Sequence, residues 1–127
     1  MNKFPILVLT ALLSSGVWAE TIAECEALNF AEADNVTRSE CSFTLEQEYS
    51  KQLKELISDL KKNVGNKELR DLLDESQNSF STYKDDQCSY FIESNEGAAS
   101  ALGAISMKYC EAELTKQRLD YLKSTFR

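Results

Sequence analysis

Histidine is absent from this 127-residue sequence. That removes the Ser-His-Asp and Cys-His pairs of nucleophilic catalysis, and with them the common His-containing zinc sites. Thiols and carboxylates are left as candidates for chemistry. The four cysteines are Cys25, Cys41, Cys88 and Cys110. None belongs to a Cys-x-x-Cys pair, the spacing that redox and metal chemistry favour. With 21 acidic residues, some carboxylate pair will always fall at a glycosidase-like separation. The densest clusters, Asp74-Glu75 and Asp85-Asp86, read as solvated helix faces rather than as an acid and its base. No Asp-x-Asp-x-Asp-Gly loop for calcium occurs. Asn35-Val36-Thr37 is a glycosylation sequon, meaningful only in a eukaryotic secretory route. The sequence predicts no catalytic residue, no metal site and no cofactor, and therefore a protein that is not an enzyme.

The cysteines gain a structural meaning from the start of the chain. Met1-Asn2-Lys3 carries one positive charge, Phe4 to Leu13 is a short apolar run, and Ser14-Ser15-Gly16 breaks it. Val17 and Ala19 then stand at the −3 and −1 positions of a cleavage site. This layout predicts a secretory signal peptide over 1–19, cut after Ala19. The apolar run is about half of the roughly 20 residues that span a bilayer. No cysteine follows the cut, which argues against a lipid anchor. One domain is expected over 20–127, periplasmic or secreted, with no membrane attachment after cleavage. In such a compartment an even cysteine count reads as two disulfides. Of the three connectivities, the non-interleaved Cys25–Cys41 and Cys88–Cys110 is favoured, because each pair brackets a segment with a plausible turn. Each closure is worth about 3 kcal/mol in the chain-entropy account, which matters in a domain this small.

The formal charge is −7 and becomes −8 when Lys3 leaves with the leader. Nucleic acid and anionic membranes are excluded as partners, since both need clustered Lys and Arg. A cationic protein would be steered favourably.

Helical periodicity accounts for the rest of the chain. Glu20 to Ala33 reads as a short helix, with Ile22, Cys25, Leu28 and Ala31 near helical spacing. Asp34-Asn35 ends it, and Thr37-Arg38-Ser39-Glu40 matches a capping box. In the long helix that follows, Leu45, Tyr49, Leu53, Leu56, Leu60 and Val64 keep one stripe. Lys61 and Lys62 favour its negative end, and Gly65-Asn66 supplies a stop and the next cap. A third helix spans about Lys67 to Ile92, with Leu69, Leu72, Leu73, Ser76, Phe80, Tyr83, Gln87 and Phe91 on its stripe. Ser94 to Gly103 is the expected loop. A fourth helix spans about Ala104 to Thr125, with Ile105, Tyr109, Leu114, Arg118, Tyr121, Leu122 and Phe126 marking its inner side. No segment alternates long enough to be a strand. The expected fold is all-α: a small antiparallel bundle of three to four helices stapled by two disulfides.

Within that bundle, Arg118 is a charge on the inner edge of the last helix and needs a partner. Asp85 or Asp86 is the natural candidate, forming an internal ion pair that fixes helix register. Phe80 and Tyr83 are expected in the core.

Helix three reads Leu73-x-x-Ser76-Gln77-x-x-Phe80-x-x-Tyr83-Lys84-Asp85-x-x-Cys88, and helix four continues Cys110-x-x-x-Leu114-Thr115-x-x-Arg118-x-x-x-Leu122. This resembles the lysozyme inhibitor LprI family, small exported bacterial proteins with a Gln-x-x-Trp-x-x-Tyr-Arg-Asp-x-x-Cys stretch, a Gly-containing loop, and then Cys with Thr-x-x-Arg. Two earlier cysteines before a Tyr-containing helix match Cys25, Cys41 and Tyr49. Phe80 stands where the family usually has Trp, and Lys84 where it has Arg, which gives up bidentate carboxylate recognition. The resemblance implies an all-helical disulfide-linked domain that inhibits lysozyme, with Gln77, Phe80, Tyr83, Lys84, Asp85, Thr115 and Arg118 as motif residues. Charge suggests how: a basic muramidase would be steered to the acidic domain, with Asp85 or Asp86 meeting its basic rim. The competing reading is a periplasmic interaction protein with no lysozyme target, marked by an exposed apolar patch.

Overall fold

The computed structural model describes residues 22–95 and 101–125. The expected signal peptide and Phe126 lie outside the described residues. Among those described, every regular element is an α-helix: α1 (22–27), α2 (Asn35–Asn63), α3 (Lys67–Asn95) and α4 (Ala101–Thr125).

Local chemistry sets the ends of these elements. The first helix is shorter than its periodicity suggests. Asn29 Oδ1 accepts from the Ala31 amide at 3.2 Å, and the Asn29 carbonyl accepts from Glu32 and Ala33, both at 3.1 Å. An asparagine that bonds its own neighbourhood turns the chain instead of continuing the helix. Arg38 then clamps the turn, donating from Nε to the Phe30 carbonyl at 2.6 Å and from Nη2 to the Ala31 carbonyl at 2.9 Å. Asp34, not Thr37, caps α2: its Oδ1 accepts from the Thr37 amide at 2.7 Å. The bond lowers the Asp34 pKa, first through that amide and next through the Thr37 side chain. At the other end of α2, Lys61 and Lys62 occupy the last turn as expected. The stop is Val64 in an extended conformation (φ −92°, ψ 116°) rather than a left-handed Gly65. Asn66 caps α3 by accepting from the Glu68 amide at 2.8 Å, and Arg70 holds the Val64 carbonyl at 2.9 Å.

The disulfides pair as the spacing favoured. Cys25–Cys41 ties α1 to α2 with Cα atoms 5.1 Å apart, and Cys88–Cys110 ties α3 to α4 at 5.7 Å. The second bond fixes the helix directions. Cys88 meets Cys110 while Gln77 meets Arg118, so α3 and α4 are antiparallel. Helices α2 and α4 therefore run parallel, and between them they hold the core. Cys25, Cys41, Leu45 and Tyr49 pack with Ala112 in one cluster, and Leu53 with Leu119 and Leu122 in the next.

Two expectations fail on α4. It begins at Ala101, so Gly103 is buried inside the helix rather than in a loop; packing there offsets a helix-propensity deficit of about 1 kcal/mol. Its deepest residues are Ala112, Thr115, Leu119 and Leu122, while Tyr121 is 58% exposed. The cause is its position between α2 and α3: apolar residues are needed on two sides, which blurs the single stripe that periodicity seeks. Thr115 is buried without penalty because its Oγ1 donates to the Glu111 carbonyl at 2.7 Å.

Two outcomes follow. Replacing Cys88 and Cys110 together by serine should lower unfolding free energy by about 3 kcal/mol, read from urea midpoints. An unchanged midpoint would contradict the role given to this bond. Asp34 has a folded-state pKa below its unfolded one, so its capping contribution is full above the ordinary carboxylate range and lost as pH falls through the lowered value. Asp34→Asn should therefore flatten the loss of stability between about pH 5 and pH 2, measured as urea midpoint against pH.

Candidate functional site

The motif residues of α3 and α4 come together on one face, though not with the partners expected. Arg118 donates from Nη2 to Ser76 Oγ at 2.9 Å and from Nε to Gln77 Oε1 at 3.3 Å. Its guanidinium lies 5.6 Å from the centre of the Phe80 ring, and Lys84 Nζ lies 5.7 Å from the same centre. The anticipated ion pair to Asp85 or Asp86 does not form. Antiparallel packing places Arg118 beside the turn that holds Ser76 to Phe80, and the two aspartates lie further along α3. Partial burial lowers the Arg118 pKa, but neutral acceptors and an aromatic face keep its charge solvated within the protein.

Asp85 and Asp86 are both exposed and form no ion pair among the described residues. The field of Asp85 still reaches α4. The Glu111 pKa is raised chiefly by burial, with Glu46 and Asp85 adding to it and Lys108 and Lys84 opposing. Tyr83 is not core: it is 54% exposed, as are Leu69 (54%) and Leu72 (58%). The packing seam of α3 runs instead through Gln77, Phe80, Lys84 and Cys88 to Ile92, where among the described residues only Cys88 and Ile92 are fully buried.

That outward face of α3 borders a groove of about 540 Å³ between the 29–38 segment, α3 and α4. Phe30 and Tyr109 form its aromatic floor, with ring centroids 4.1 Å apart and planes tilted by 31°. Tyr83 and Gln87 stand on the α3 side, and Glu113 on the α4 side. Burial and the hydrogen bond to Glu113 raise the Tyr109 pKa, so the phenol remains a donor to a carboxylate. Tyr83 and Gln87 also line a shallow depression along α3 that includes Asp86 and Tyr90. The two concavities therefore share one ridge.

Periodicity missed Arg38, Glu113 and Tyr90 as surface residues. A signal for the last was present: Ser79, Tyr83, Asp86 and Tyr90 step by 4, 3 and 4 on the polar side of α3. No such pattern marks Arg38, whose role depends on a turn set by Asn29. In an adjoining concavity that shares Phe30, Tyr109 and Glu113 with the groove, Tyr49 is buried and donates to Glu26 Oε2 at 2.6 Å. Burial, then the Glu26 bond, holds its phenol well above the usual range.

Among the described residues no group of three or more carboxylates and thiols is placed to hold a metal ion. No helix there is long and apolar enough to cross a membrane. The arrangement offers recognition chemistry: exposed tyrosines, unpaired aspartates and a grooved aromatic surface. A family model described as lysozyme inhibitor LprI matches residues 23–122, a span that includes all four cysteines, Tyr49 and Arg118. No curated protein and no solved structure matches the chain.

The Arg118 contacts can be measured. A double-mutant cycle of Arg118→Met and Gln77→Ala should return a coupling of about 1 kcal/mol in unfolding free energy. Additive losses would show that this bond carries no stability.

Proposed function

The chain belongs to the lysozyme inhibitor LprI family, and from that premise we propose that it is an exported, non-enzymatic binding protein that inhibits a basic lysozyme-type muramidase. Residues 1–19 direct export and are removed after Ala19, and the domain acts in the periplasm or outside the cell. The inhibitor approaches through its negative field and covers the enzyme's cleft sterically. The observation that carries this reading beyond the family is the state of the acids. The chain has seven more acidic than basic residues, and Asp85 and Asp86 stand exposed and unpaired on the least buried helix. Long-range attraction between opposite net charges accelerates encounter, and rim charges set the salt dependence of the rate.

A cell-wall turbidity assay with a basic lysozyme tests the proposal. The purified mature domain should slow clearing at about 1 µM in low salt. The effect should weaken as ionic strength rises towards about 1 M, where the Debye length shrinks to roughly 3 Å. Lack of inhibition in low salt would instead select the alternative that the exposed Leu69 and Leu72 favour, an envelope interaction protein with no muramidase target.

A further inference from the structure

We infer that the groove beside Tyr83 is the part of the contact face that receives a lysine or arginine side chain projecting from the basic partner. This inference rests on the inhibitor reading above.

Three features single the groove out. Its floor is a tilted aromatic pair, Phe30 and Tyr109, and its α4 rim carries the Glu113 carboxylate. An aromatic floor beneath an acidic rim suits a cation with an aliphatic stem: the stem packs on the rings and the charge meets the carboxylate. The one cation lining the groove among the described residues, Arg38, donates to the Phe30 and Ala31 carbonyls, so it braces the wall and forms no ion pair with Glu113, whose carboxylate accepts from Tyr109.

The chain's own cations supply the second feature. Lys108 covers Phe43 at 5.3 Å, Lys116 covers Tyr49 at 5.7 Å, and Lys84 and Arg118 both lie against Phe80. Tyr83 and Tyr90 have no such cover among the described residues, although both are exposed, at 54% and 73%. Each therefore presents a ring whose face a partner's cation can take. Tyrosines at this exposure are also the residues that most often anchor protein interfaces.

The third feature is continuity. Tyr83 and Gln87 border both the groove and the depression that holds Asp86 and Tyr90. A partner seated with one basic side chain in the groove would lay its neighbouring basic residues over Asp86. Aromatic and acidic groups then act on one face, as a cationic surface requires.

The test uses Tyr83→Ala and Glu113→Gln in the mature domain, with Asp59→Asn as a charge-matched control about 30 Å further along α2 than Arg38. Folding of each is checked by circular dichroism and thermal midpoint. Binding to a basic lysozyme is measured by calorimetry at low salt. Both groove variants should raise Kd about tenfold, and the control should stay within about twofold of wild type. If wild type binds and folded groove variants match the control, the groove assignment is overturned and the inhibitor reading stands. If wild type does not bind, both fall.

Discussion

The bond between Cys88 and Cys110 is the constraint on which the shape of this molecule depends. Helices α2 and α4 run parallel and, among the described residues, supply most of the buried apolar side chains. A parallel pair in one chain needs a return segment between its members, and α3 is that segment. It is 29 residues long, yet among the described residues it sends only Cys88 and Ile92 fully into the interior. A helix with so little buried surface gains little from packing, and packing is what normally stabilises an amphipathic helix in water. The disulfide removes the freedom of α3 to leave, and the Arg118 contacts to Ser76, Gln77 and Phe80 then hold its middle in register.

The described arginines of this acidic chain are used in a consistent way. Arg38, Arg70 and Arg118 all bond to neutral oxygens, two of them to backbone carbonyls at turns. An arginine on a carbonyl pins a loop without cancelling a carboxylate, so negative charge remains available at the surface. The lysines do the pairing, as in Lys61 with Asp74 and Lys116 with Asp120, both at part-exposed positions. Such exposed pairs add little to stability.

How much of this was legible depended on how local the cause was. The stripe of α2 was read correctly because α2 packs on one side, and Leu45, Tyr49 and Leu53 all prove buried. The cysteine pairing was legible because each bridge closes a short loop, with sequence separations of 16 and 22. The early end of α1 was not, since it rests on side-chain bonds of Asn29 and on Arg38 reaching back eight residues. The inner side of α4 was misread for a different reason: a helix with two neighbours has no single apolar face. The Arg118 partners, Ser76 and Gln77, were hidden by something else. They depend on the stagger between α3 and α4, which Cys88 and Cys110 set and which residue types alone do not reveal.

The weak packing of α3 also bears on why a recognition surface would be found there. Residues in a core answer to volume and shape, so an exposed ring or an unpaired carboxylate can be placed freely only where a helix is held by other means. Here the disulfide, the Arg118 contacts, the Lys61–Asp74 pair and a narrow inner seam with Phe80 and Ile92 hold α3, and its outer face is released from packing. Tyr83, Asp86 and Tyr90 occupy that face with no ion pair or cation cover among the described residues. Leu69 and Leu72 at its start are equally exposed, but they stand next to the α2–α3 turn and away from the groove. The aromatic groove, the acidic rim and the free helix face meet at the Cys88 end, where the crosslink ties α3 to α4. A covalent tie at that point reduces the ordering that binding would have to supply, and with it the entropic cost of forming the contact.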